Sequence, residues 1–77
     1  MSTDLVVDGM IRTFSRVLRS DDVTPDSDFF ELGGDSLLAT RVLSAVAREF
    51  GPELTIGDLL VAPTPSALAK LIEVELS

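Results

Sequence analysis

Apolar residues recur at helical spacing in several stretches of this chain, with polar, glycine- and proline-bearing segments between them. Val7, Met10, Ile11, Phe14, Val17 and Leu18 follow the i, i+3, i+4, i+7 rhythm of one helix face, and predict a first helix from Thr3 or Asp4 to Leu18 or Arg19. Arg12, Arg16 and Arg19 fall on the other side, and arginines in the C-terminal half complement the helix dipole. Gly9 is a mild weakness in the pattern. A second stripe, Ala39, Val42, Leu43, Val46 and Phe50, predicts a helix that starts at Asp35 or Ser36 and ends near Phe50, where Gly51 and Pro52 stop it. Leu37 falls nearly opposite that stripe, beside Arg41, Ser44 and Arg48. Ile56, Leu59 and Leu60 predict a short helix over Ile56–Leu60 with one apolar side, capped by Thr55. Thr64 as N-cap and Pro65 at the first position open a last helix, with Leu68, Leu71 and Ile72 as its stripe and fraying near Leu76. No segment reads as strand.

The pattern therefore predicts an all-α fold: a small four-helix bundle of three longer helices and one short one, in a single domain over residues 1–77. Ser20 to Asp35 reads as a long loop between helices 1 and 2. A loop of that length in a small domain is often functional. Its first half is polar. Its second half carries Phe29, Phe30 and Leu32, which are expected to pin it into the core. Asp26, Asp28 and Glu31 invite a calcium loop, but Phe30 stands where the next oxygen ligand belongs and Glu31 where the glycine should be, so no metal site is assigned.

Composition narrows the function. The 77 residues carry 13 acidic and 6 basic side chains, a net charge of −7. Phosphate backbones attract basic surfaces, so a nucleic-acid partner is disfavoured, as is an anionic membrane. No apolar run nears the roughly 18 residues that a membrane span needs, and no charged-then-apolar leader precedes the first helix, so a cytoplasmic protein is expected. The small size and acidic surface point to a monomer. The charge is segregated. Asp21, Asp22, Asp26, Asp28, Glu31 and Asp35 lie between Ser20 and Ser36 with no basic residue among them, whereas Arg12, Arg16, Arg19, Arg41 and Arg48 belong to the two flanking helices.

The candidate chemistry centres on Ser36. Gly33, Gly34 and Asp35 lead into it and a helical pattern leads away, which places a hydroxyl at a helix N-terminus. A nucleophilic serine needs a base, and the chain has no His; Lys70 is the only lysine and sits in another helix. Leu38 stands where a nucleophile elbow needs glycine, and no strand precedes the serine. Zinc has neither His nor Cys to use. No catalytic residue is assigned, and the chain is not expected to be an enzyme. Taken as four residues, Gly33-Gly34-Asp35-Ser36 is a helix start in which Asp35 caps the first amides. The same position suits a covalently held phosphodiester, because free amides and the positive end of the helix dipole face an anion there. The glycines leave room for a modifying enzyme, and Asp35 is placed to help hold a divalent metal during phosphate transfer.

The run Phe30-Glu31-Leu32-Gly33-Gly34-Asp35-Ser36-Leu37-Leu38-Ala39-Thr40-Arg41 resembles the phosphopantetheine-attachment signature of acyl and peptidyl carrier proteins. Its Leu-Gly-Gly-Asp-Ser-Leu core is most similar to the thiolation domains of nonribosomal peptide synthetases. Thr55-Ile56-Gly57-Asp58-Leu59-Leu60 and Pro63-Thr64-Pro65-Ser66-Ala67-Leu68-Ala69 resemble the family's third and fourth helices, so the resemblance covers essentially the whole chain. It implies that a phosphopantetheinyl transferase, with coenzyme A and magnesium, attaches 4′-phosphopantetheine to Ser36, with Gly34 and Asp35 as the motif's context. It implies that the terminal thiol holds an aminoacyl, peptidyl or acyl thioester. It also implies an adenylation or acyltransfer enzyme for loading, and condensation or tailoring enzymes downstream. Seen so, Leu37 becomes a docking contact, joined by Leu38 and Arg41.

Two other readings stay open: an acyl carrier for polyketide or fatty acid synthesis, and an unmodified helical interaction module using Leu37 and the acidic loop. A free-standing carrier and a domain excised from a megasynthase fit the sequence equally.

Overall fold

The structure is a computed structural model that describes residues 3–76. Four helices follow in order: α1 (Thr3–Leu18), α2 (Ser36–Glu49), α3 (Ile56–Val61) and α4 (Pro65–Leu76). The fold is all-α, and among the described residues no strand occurs. α1 packs most extensively against α4 and also against α2, and α2 packs against α3. The bundle measures 31 × 21 × 20 Å. Among the described residues, no helix is long and apolar enough to cross a membrane.

Helix limits fall where local chemistry puts them. Asp35, in extended conformation, caps α2 by accepting from the Leu38 amide. Thr55 and Asp58 form a reciprocal capping box at the start of α3, in which each side chain accepts from the other residue's amide. Thr64 Oγ1 accepts from the Ala67 amide at 3.1 Å at the start of α4. These side chains take up amide donors that a helix's first turn leaves unpaired.

The core is built from Val6, Met10 and Phe14 of α1, Phe29 of the long loop, Ala39, Val42 and Val46 of α2, Leu59 of α3, Ala62, and Leu68, Ala69 and Ile72 of α4. Three faces differ from the sequence pattern. The buried side of α1 is turned toward Val6, Gly9 and Thr13, while Val7 and Ile11 are only half-buried. Gly9 explains the turn: a Cβ there would run into the Phe50 ring, so α1 and the end of α2 close together at that glycine. In α2 the small Ala45 is buried and Leu43 half-buried. α3 buries Leu59 but leaves Ile56 and Leu60 exposed, so its predicted apolar side is not one buried face.

The long loop is anchored. Phe29 is fully buried and stacks edge-on against Phe14 (centroids 5.3 Å) and Phe30 (5.2 Å). Its amide donates to the Pro63 carbonyl at 2.8 Å, and the Ser66 amide donates to Pro25 at 3.0 Å. The loop is thereby tied to the α3–α4 connection and to the first turn of α4. Phe30 packs against the core as expected; Leu32 is half-buried and lies outside the core cluster.

Candidate functional site

The approach to Ser36 is a folded turn. Asp28 Oδ1 accepts from the amides of Phe30 (2.8 Å) and Glu31 (3.2 Å), and the Leu32 amide donates to the Asp28 carbonyl at 3.1 Å. That carboxylate caps the turn. Among the described residues, no group of three or more His, Cys, Asp or Glu side chains is gathered to hold a metal ion. Gly33 follows with φ +99°, a conformation that side-chain-bearing residues rarely adopt. Gly34 then passes directly over Phe29, where a Cβ would collide with the ring, and its amide donates to the Phe29 carbonyl at 3.0 Å. The two glycines serve different ends: the first turns the chain and the second lets it lie on the buried phenylalanine.

This turn delivers Asp35 and Ser36 to the end of α2. Asp35 Oδ1 accepts from the Leu38 amide at 2.9 Å, and its carbonyl accepts from Ala39 at 2.7 Å. Ser36 is exposed. Among the described residues its hydroxyl makes no hydrogen bond, and the amides of Ser36 and Leu37 donate to no protein group. Thr40 Oγ1 donates to the Ser36 carbonyl at 3.0 Å, one turn further on. The result is an accessible primary hydroxyl, two open amides and the positive end of a 14-residue helix. An anion suits that end of the helix; among the described residues no side chain is hydrogen-bonded to the hydroxyl.

The other residues singled out from the sequence are distributed around this point. Leu37 is 64% exposed and stands next to the serine. Arg41 is exposed on the same side of α2. Leu38 is half-buried and packs against the core, so only part of it is offered to a partner. The pattern did not show that α3 presents Ile56, Leu60 and Val61 outward, with Val61 83% exposed. In a six-residue helix the rhythm of apolar positions is too short to say which of them faces in.

Comparison with known proteins agrees with this geometry. The family described as "Phosphopantetheine attachment site" matches residues 8–72. The dimodular nonribosomal peptide synthase of Bacillus subtilis is 45% identical over 60 residues, covering 78% of this chain and 2% of the synthase. The chain spans only 1–5% of the length of the first curated relatives it matches. Among solved structures, one similar chain comes from the complex of the phosphopantetheine transferase Sfp with coenzyme A and a peptidyl carrier protein (TM-score 0.86, 32% identity, 90% of each chain covered). Another is BlmI, a type-II acyl carrier protein from Streptomyces verticillus involved in bleomycin biosynthesis (TM-score 0.91, 25% identity, 97% of this chain and 90% of that chain covered).

Proposed function

Because the chain belongs to the phosphopantetheine-attachment family, we propose that it is a carrier domain modified on Ser36 and serving nonribosomal peptide assembly. One observation carries the assignment of the residue. Ser36 presents an exposed, unbonded hydroxyl on the Asp35-capped end of α2, inside the stretch that the family match covers.

The chain's contribution to the modification is positional. The loop held by Phe29 sets the turn, Gly33 and Gly34 keep side chains away, and Asp35 fixes the first turn of the helix. A phosphopantetheinyl transferase supplies the base and uses coenzyme A as donor. Ser36 Oγ gives up its proton to that base and forms one O–P bond, while the bond to the departing adenosine 3′,5′-bisphosphate breaks. The open amides of Ser36 and Leu37 and the helix dipole suit the resulting phosphodiester. Once attached, 4′-phosphopantetheine supplies a thiol on a flexible arm, which holds an aminoacyl, peptidyl or acyl group as a thioester.

The likeness to a carrier seen in complex with a transferase supports that enzyme as a partner. The synthase relatives support an adenylation or acyltransfer enzyme for loading, and condensation or tailoring enzymes afterwards. Leu37 is the best-placed contact for them, with Arg41 beside it.

The test is intact-protein mass spectrometry after incubation with coenzyme A, magnesium and a broad-specificity phosphopantetheinyl transferase. Wild type should gain the mass of one phosphopantetheine, and Ser36→Ala should gain none. A folded wild-type chain that gains nothing, beside a known carrier modified in parallel, refutes the assignment.

A further inference from the structure

A groove of about 370 Å³ runs along the outer side of α2 against the end of α1. It is walled by Arg16 and Arg19 from the α1 end and by Leu37, Thr40, Arg41 and Arg48 from α2. Four of the chain's six basic residues meet there, and no acidic residue lines it, although the chain carries 13. Arg16 reaches Glu49 at 3.4 Å in an exposed pair. Among the described residues, no carboxylate lies within ion-pair distance of Arg19, Arg41 or Arg48. In so acidic a molecule, three guanidiniums without carboxylate partners form a site of opposite sign to the rest of the surface.

The groove begins one residue beyond Ser36. Leu37 is the next residue, and Thr40, in its wall, hydrogen-bonds the Ser36 carbonyl. From Leu37 to Arg48 it follows α2 for roughly 16 Å at 1.5 Å per residue, a length comparable to an extended phosphopantetheine arm. Leu37, Val17 and Ala45 give it apolar surface between the charges. We propose that this groove receives the free carboxylate of a cargo tethered at Ser36, so that the carrier holds ω-carboxyl acyl or acidic aminoacyl groups against its own surface. The inference rests on the carrier reading and names a cargo class within it.

Solvent-exposed arginines hold a free carboxylate only weakly. A tether changes that, because a short flexible linker sets an effective concentration of the order of millimolar. Several guanidiniums converging on one carboxylate add charge-assisted hydrogen bonds.

The experiment loads the 15N-labelled chain with three cargos of equal length in amide-linked, non-hydrolysable form: adipoyl, hexanoyl and 6-aminohexanoyl. Mass spectrometry verifies loading, and the side-chain Nε–H signals of Arg19, Arg41 and Arg48 are then compared by NMR. Adipoyl should shift these signals and the Ser44 amide, while hexanoyl and 6-aminohexanoyl leave them where the unloaded arm does. The adipoyl shifts should fade between about 0.02 M and about 0.5 M NaCl, and Arg48→Gln should remove most of them. A chain that loads yet gives the same arginine signals with all three cargos overturns this inference alone. A chain that gains no mass overturns the carrier reading, and this inference with it.

Discussion

Ser36 and Leu37 are neighbours in sequence with opposite chemistry, and both are exposed. A leucine 64% open to water next to the proposed modification point contributes little to the fold, so its side chain is available to an enzyme approaching the serine. Leu37→Asp is therefore expected to leave the circular dichroism spectrum and melting temperature nearly unchanged while impairing modification or loading. Normal transfer and loading kinetics in the folded variant would sink the contact. The exposed serine at the start of α2 was legible from the sequence because its signals are local: a glycine pair, a capping carboxylate and the start of a helical rhythm. The exposure of the proposed docking contacts was less so. Leu38 and Leu37 differ by one position in the chain, yet one packs against the core and the other faces water. The helical spacing puts Leu37 nearly opposite the apolar stripe, but does not show how far Leu38 turns inward.

The element that sets the site is the long loop, and its anchor is Phe29. The ring is fully buried between Phe14 and Phe30, so it has no free direction in which to yield. Gly34→Ala would place a methyl into that ring. Overpacking of this kind costs about 1–3 kcal/mol, and each kcal/mol lowers the melting temperature of a domain this size by about 4–8 °C. Thermal unfolding should show that loss, and an unchanged melting temperature would mean that the loop is looser than its contacts indicate. Helix boundaries were readable in advance because Asp35, Thr55 and the Thr64-Pro65 pair act within a turn of their own positions. Helix faces were not fully readable. The inward side of α1 depends on Phe50 lying across Gly9, and a residue pattern alone records that glycine only as a poor helix former. In α3, Leu59 is buried while Ile56, Leu60 and Val61 are exposed, and nothing in six residues distinguishes them.

At the scale of the molecule, charge is the property the chain distributes most unevenly. Acids occupy the Ser20–Asp35 loop, and arginines from two separate helices converge on the groove beside α2. The sequence showed each arginine on an outer face; only the packing of α1 against α2 brought them together. The balance also bears on stability. With a net charge of −7, repulsion between acids extends across a body 31 × 21 × 20 Å in size. At about 0.01 M salt the screening length is about 30 Å, so charges on opposite sides feel one another; at about 0.1 M it is about 10 Å, and only near neighbours do. Attractive contacts such as Arg16–Glu49, at 3.4 Å, are short and exposed, and such pairs contribute at most about 1 kcal/mol. Screening thus removes more repulsion than attraction. Raising NaCl from about 0.01 M to about 0.3 M should stabilise the fold by the order of 1 kcal/mol and raise the melting temperature by several degrees. Chloride is the suitable anion, since sulfate would strengthen apolar burial as well. A melting temperature that falls with NaCl would show that local attraction outweighs the long-range field.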